Sequence, residues 1–170
     1  MLKSAGLTGR SDNKVDAKGR ISIPAPFRKI LAPGEYDEVV IVHVPTGHLL
    51  LFNKDYWSST IQQSIIDKTD QLGRENVWRA IHTLSENSHM STVDSQGRIT
   101  IPHWLLEKAK VKKDVIVIGA FDRVSIWAPE GYNQWVKGAD IGSAISDYEI
   151  KVSVGAMRII LVHTIFFSQR

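Results

Sequence analysis

Two arginines occupy the same place in a segment that occurs twice. Val15-Asp16-Ala17-Lys18-Gly19-Arg20-Ile21-Ser22-Ile23-Pro24 returns as Val93-Asp94-Ser95-Gln96-Gly97-Arg98-Ile99-Thr100-Ile101-Pro102. A guanidinium donates two parallel hydrogen bonds, which suits a phosphate. It suits guanine O6 and N7 equally well. A single Gly-Arg at a strand start usually has a structural role, but its duplication favours a functional one for Arg20 and Arg98. A surface that shows the same basic loop twice matches a two-fold or repetitive partner, and duplex DNA is the commonest such partner. Lys18 stands at the tip of the first loop and Gln96 at the tip of the second. Arg10 and Lys14 precede the first loop, in a stretch where residues 1–30 carry seven Lys or Arg against two Asp.

The loops need local structure to aim their arginines. Asp first and Gly fourth is the preference of a β-turn. Asp16 and Asp94 can accept backbone N–H bonds within that turn. Gly19 and Gly97 can adopt the left-handed conformation that closes it. For the two Asp, a role as turn cap or arginine partner outweighs a catalytic one. Ile-x-Ile then reads as a half-buried strand in each copy. Pro24 and Pro102 end that strand, since proline cannot donate to a ladder.

The elements around the loops repeat too. A short helix follows each Pro, over Pro26 to Leu31 and over His103 to Ala109. Each helix leads into a hairpin: Glu38 to Val44 with Leu49 to Phe52, then Val115 to Ala120 with Val124 to Trp127. A helix with aromatic residues follows each hairpin, at Tyr56-Trp57 and at Tyr132 and Trp135. A repeat of this kind implies duplicated structure. The expected division is a first repeat at 7–66, a helical linker at 67–87, a second repeat at 88–137, and a tail at 138–170. Trp57, Ile61 and Ile65, then Val77, Ile81 and Leu84, place apolar stripes on the linker helices, and Gly73 marks the turn between them. Such stripes are core far more often than ligand contacts. The fold class expected is mainly β with short helices (α+β). Two units packed about a pseudo-two-fold would interlock their hairpins into a small barrel, which removes exposed strand edges.

Composition narrows the function classes. The 170 residues carry a net charge of only +3. A weak net charge with local basic patches is compatible with nucleic-acid binding. The run Lys108, Lys110, Lys112 and Lys113 reads more readily as a solvated face than as a contact. There are no cysteines, so disulfides and thiolate chemistry are excluded. No Gly-x-Ser-x-Gly, GxxxxGK[ST] or HExxH motif is present. His43 and His48 can face one another across a hairpin, but two histidines make an incomplete metal site. The chain therefore reads as a non-enzyme with no cofactor, no metal and no small-molecule substrate. Without a signal-like N-terminus, the default location is cytoplasmic.

VDAKGRISIPAPFRKIL and VDSQGRITIPHWLLEKA resemble the paired motifs of the MraZ transcriptional regulators, and the apolar pattern from Val115 to Trp127 resembles that family as well. The resemblance covers about residues 7–137. One copy alone would suggest only the broader AbrB-type (SpoVT-like) swapped-hairpin superfamily. The family's usual Phe-x-Gly is Leu7-Thr8-Gly9 here. The resemblance implies two AbrB-like halves in one chain and assembly of chains into closed rings. It implies binding to short direct repeats upstream of the division and cell-wall gene cluster, and nucleoid association. By motif position it makes Arg20 and Arg98 the DNA-contacting arginines. Lys18 matches the family's usual lysine of the first loop, and Gln96 a residue common in the second.

Two other readings compete. An AbrB-type antitoxin would bind DNA through one half and a toxin through an extra segment, and it would usually carry a single loop copy. A ring-forming interaction protein would turn the same arginines toward an acidic protein. From Ala139 onward the motif resemblance ends. Residues 159–167 are nearly all apolar, yet too short for the roughly twenty residues a spanning helix needs. A docked element or a poorly ordered end is the expectation there, with no membrane partner.

Overall fold

Runs of β-branched and aliphatic residues set the strands, and Pro and Gly punctuate them. This computed structural model describes residues 6–34 and 36–139. The chain divides into two compact units, Met1–Trp135 and Val136–Arg170. The architecture below is that of the first, and the expectations for the tail fall almost wholly outside the described residues. The elements run in the order β1 (Leu7–Lys14), β2 (Arg20–Ser22), α1 (Ala25–Leu31), β3 (Glu38–Val44) and β4 (His48–Asn53). Next come α2 (Lys54–Tyr56), a π-helical stretch (Trp57–Gln62), α3 (Gln63–Ile66), α4 (Thr69–Leu72) and α5 (Arg74–Glu86). Then follow β5 (Ser88–Thr92), β6 (Arg98–Thr100), α6 (His103–Lys108), β7 (Asp114–Phe121), β8 (Arg123–Trp127) and α7 (Pro129–Trp135). The fold is α+β, with one large antiparallel sheet and short helices. Among the described residues no helix is long and apolar enough to cross a membrane.

The large sheet has the order β1-β7-β8-β4-β3-β5, and β2 pairs separately with β6. The first strand of each copy thus lies on the hairpin of the other. Leu7 sits opposite Phe121 and Lys14 opposite Asp114, while Glu38 sits opposite Thr92. The two hairpins join where Leu49 pairs with Ile126 and Leu51 with Val124. In the small ribbon Ile21 faces Ile99, Arg20 faces Thr100 and Ser22 faces Arg98.

The ladder does not close into the expected barrel. Among the described residues β1 and β5 end the sheet without pairing to each other. The β2–β6 ribbon is too short to pair along both edges, because Pro24 and Pro102 truncate both its strands. It meets the edge strands through side chains instead. Asn13 Nδ2 donates to the Ser22 carbonyl at 2.7 Å, and the Thr100 N–H donates to Ser91 Oγ at 3.1 Å.

Burial follows the two faces of the sheet. The main core gathers Ile21, Ile23, Ile99 and Ile101 from the ribbon region against Ile41, Leu49, Leu51, Val117 and Ile126 of the sheet. Phe27 and Leu31 of α1 and Leu105 and Leu106 of α6 complete it. A smaller cluster of Val40, Val42, Phe52 and Trp57, with Ile61 and Leu84 against it, seats the linker helices on the opposite face. Hence β3 is buried on both faces over Val39–Val42, where simple alternation would bury one. Gly73 lies between α4 and α5 at φ +80°, as expected of a helix-pair turn.

Candidate nucleic-acid interface

Each Asp-x-x-Gly-Arg loop is closed by its own aspartate. Asp16 Oδ1 accepts the backbone N–H groups of Lys18 and Arg20, both at 2.9 Å. Its Oδ2 accepts Arg20 Nε and Nη2, both at 2.7 Å. Asp94 repeats the pattern with Gln96 at 3.0 Å and Arg98 at 2.9 Å on Oδ1, and with Arg98 Nε and Nη2 at 2.8 Å on Oδ2. Gly19 and Gly97 donate back to the carbonyls of Asp16 and Asp94 at 3.0 and 2.8 Å, which closes each turn. Both glycines are left-handed, at φ +76° and +74°.

The turn therefore orders the arginine as well as the backbone. The Arg20 guanidinium holds the Asp16 carboxyl down at about 2, and Arg98 lowers Asp94 in the same way. Both carboxylates are charged throughout the neutral range, so the clamp persists there.

The ribbon fixes one loop relative to the other. The Ile101 N–H donates to the Gly19 carbonyl at 2.8 Å, and the Ile23 N–H donates to the Gly97 carbonyl at 2.9 Å. Ile21 and Ile99 point into the core, and side chains alternate along a strand. Arg20, Ser22, Arg98 and Thr100 thus share the outer face. Arg20 and Arg98 stand on a diagonal of that ribbon, with Cα atoms roughly 7–8 Å apart for such a register. Their side chains are 30% and 26% exposed, enough to be reached and low enough to be held.

The other expected contact residues fall at different distances from this face. Lys18 and Gln96 are exposed at the two loop tips. Lys14 ends β1 beside the first loop, where the Val15 N–H donates to the Lys113 carbonyl at 2.7 Å. Arg10 lies four residues back along the same strand, roughly 13 Å at strand rise. There it pairs with Asp12 at 2.9 Å and lies 5.5 Å from the centre of the Tyr132 ring. The structure thus brings Asp16, Lys18, Gly19, Arg20, Asp94, Gln96, Gly97 and Arg98 together, places Lys14 beside them, and leaves Arg10 apart.

Sequence reasoning missed that each loop is packed by the helix of the other copy. Arg28 of α1 lies against Gly97, and Leu106 of α6 lies near Gly19. The spacing that aligns the two loops also aligns Arg28 with Leu106, so the signal was present in the repeat. The two hairpin histidines, which could have faced one another, do not: His43 faces Leu49 and His48 faces Val44. Among the described residues no group of three or more His, Asp or Glu is arranged to hold a metal ion.

The family model described as "MraZ protein, putative antitoxin-like" matches residues 7–75 and 85–147. Its second match runs past residue 137, where the motif resemblance ended. A protein of Caldanaerobacter subterraneus subsp. tengcongensis named "Transcriptional regulator MraZ" is 33% identical over 135 residues, covering 79% of this chain and 90% of its own length. Proteins of the same name from Chlorobium phaeobacteroides and Ruegeria sp. (strain TM1040) are 30% and 34% identical. These matches cover 74% of this chain in both cases, and 85% and 79% of the two relatives. The doubled Asp-x-x-Gly-Arg loop and the two matched segments agree, and the chain belongs to the MraZ family.

Proposed function

We propose that this chain is a DNA-binding transcriptional regulator whose β2–β6 ribbon is the contact surface. The observation that supports this best is the shared outward face of Arg20 and Arg98, each clamped by its own aspartate. The clamp occupies the Nε and Nη2 edge of each guanidinium, which leaves the Nη1 and Nη2 end-on edge to donate to a partner. A pre-aimed arginine loses little side-chain freedom on binding, which favours specific contact over loose attraction. In this reading Arg20 and Arg98 meet base edges or phosphates, while Lys18, Gln96 and Lys14 hold the flanking backbone. Arg10 adds to the positive field from further away.

The palindromic pairing supports reading the first unit as two interlocked AbrB-like repeats about a pseudo-two-fold axis through the Ile21–Ile99 pair. The expected boundaries, 7–66 and 88–137 with a helical link at 67–87, follow that reading. The partner is repeated promoter boxes upstream of a division and cell-wall gene cluster, bound by a closed ring of chains in the nucleoid of the cytoplasm.

A salt series with duplex DNA from upstream of the chain's own gene tests this. The log of affinity falls linearly with log salt, by roughly 0.9 per phosphate neutralised. Lys18→Ala lowers that slope by about one and weakens specific and random DNA alike. Affinity that ignores salt removes the DNA reading and leaves an acidic protein partner as the alternative.

A further inference from the structure

The two loops have the same turn but different neighbours. The residue after the buried Phe27 is Arg28, and the residue after the buried Leu105 is Leu106. These corresponding positions cover the opposite loops. A Cβ added to Gly97 would fall on Arg28 Nη1, so that guanidinium rests directly on the second loop. A Cβ added to Gly19 would instead lie 3.7 Å from a methyl of Leu106. The next position differs in the same sense, Lys29 in α1 against Glu107 in α6. The tips show the reverse distribution, with Lys18 on the first loop and neutral Gln96 on the second. The first loop thus carries a cation at its tip, whereas the second is approached by one from the helix of the other repeat.

Arg28 lines an open cleft of about 230 Å³ together with Lys29, Tyr36, Asp94, Ser95 and Gly97. Among the described residues lining it the one carboxylate, Asp94, is bonded to Arg98. Arg28 belongs to none of the ion pairs among the described residues.

Resting on the DNA reading above, we infer that Arg28 and the cleft beside the second loop form a binding site for a DNA backbone phosphate. The site is built across the two repeats and takes the place of the lysine that the second loop lacks. A guanidinium braced on a glycine backbone donates to a phosphate oxygen without first being ordered. Gly97 is suited to this because a side chain there would displace Arg28. At the corresponding place beside the first loop stands Leu106, which has no group to donate to a phosphate. The two loops therefore engage the duplex through different backbone contacts despite their common motif.

The test compares salt slopes for wild type, Arg28→Gln, Arg28→Lys, and Arg28→Gln combined with Gln96→Lys, on the same upstream duplex. Arg28→Gln lowers the slope by about 0.9 for each phosphate it no longer neutralises. Arg28→Lys retains most of it, and adding Gln96→Lys to Arg28→Gln restores it, which a purely structural role for Arg28 would not produce. A wild-type slope in a folded Arg28→Gln overturns the inference, while a weakened Arg20→Ala or Arg98→Ala in the same series keeps the DNA reading intact. If wild type itself shows no salt-dependent binding, the DNA reading falls first. Should Arg28→Gln fail to fold, phenylglyoxal footprinting of the wild-type chain decides. Arg28 protected by duplex along with Arg20 and Arg98 supports the site, and Arg28 equally reactive with and without DNA overturns it.

Discussion

Asp16 and Asp94 each commit one carboxylate oxygen to two backbone N–H groups and the other to an arginine. The same atom set that shapes the turn aims the guanidinium. Because the ion pairs are partly exposed to solvent, they contribute little to stability. Arg20→Ala and Arg98→Ala should therefore melt close to wild type. Each should weaken duplex binding by about 1–3 kcal/mol, the range for removing an arginine that reads a base edge. Anisotropy against circular dichroism melts checks both halves, and unchanged affinity in both variants would remove the loops from the DNA-contacting surface. Gly19 behaves oppositely. Its φ of +76° disfavours any side chain, and an added Cβ would stand 2.5 Å from the Ile101 carbonyl oxygen, which is backbone and cannot step aside cheaply. Gly19→Ala should cost about 2 kcal/mol or more in a urea melt.

Among the elements, the hairpin of β3 and β4 carries the buried titratable group. The His48 ring stacks on Trp127, with centroids 3.7 Å apart, and its Nδ1 lies 2.9 Å from Thr46 Oγ1. Burial, with the charge of His43 nearby, pulls His48 down to about 4 from an ordinary 6.5. The folded state therefore binds this proton only at more acid pH than the unfolded chain does. Stability from neutral His48 is complete above pH 6.5 and is lost as pH falls toward 4. The loss is at most about 3 kcal/mol for a change of that size. His43 is lowered by burial too and adds in the same direction. His48→Phe keeps a ring on Trp127 and removes the titration, so its melting temperature should fall less than wild type between pH 6.5 and 4. Parallel profiles for the two proteins would show that His48 is not the acid-sensitive group. Asp16 contributes little to this window, because its stabilisation is lost mainly as pH falls from the ordinary carboxylate value of 3.8 toward 2.

At the scale of the whole molecule, one chain offers a single ribbon, which is a small footprint on a duplex. Rigidly joined chains would turn each later contact into an intramolecular event, and avidity adds about a hundredfold or more when spacing matches. A closed ring needs a heterologous interface, one surface meeting a different surface of the next chain. The linker helices suit that role, since Ile66, Leu72 and Trp78 are each about half exposed while the ribbon stays open. Light scattering should report an oligomer. Shifting one promoter box by half a helical turn, about five base pairs, should sharply lower affinity. A monomer, or binding indifferent to box number and spacing, would remove the ring from the proposed mechanism.

The repeat made much of this molecule legible from residues alone. Asp, Gly and Arg at fixed spacing specify a turn through local hydrogen bonds, so both loops, the Ile-x-Ile strands, both hairpins and the Gly73 turn could be read directly. These depend on backbone chemistry within a few residues. What lay beyond reach depends on contacts between distant segments. The sheet stays open in its ladder because the β2–β6 ribbon is three residues long and, among the described residues, is hydrogen-bonded to β1 and β5 through Asn13 and Ser91. His43 and His48 miss one another because the hairpin register, set by where its turn closes, pairs them with Leu49 and Val44. Arg10 binds Asp12 and Tyr132 because β1 extends away from the loops. Arg28 reaches Gly97 because α1, which follows the first loop in sequence, packs against the second loop. Local spacing determined the two arginine clamps; the antiparallel pairing of β2 with β6, a matter of tertiary packing, decided that both face outward from one ribbon.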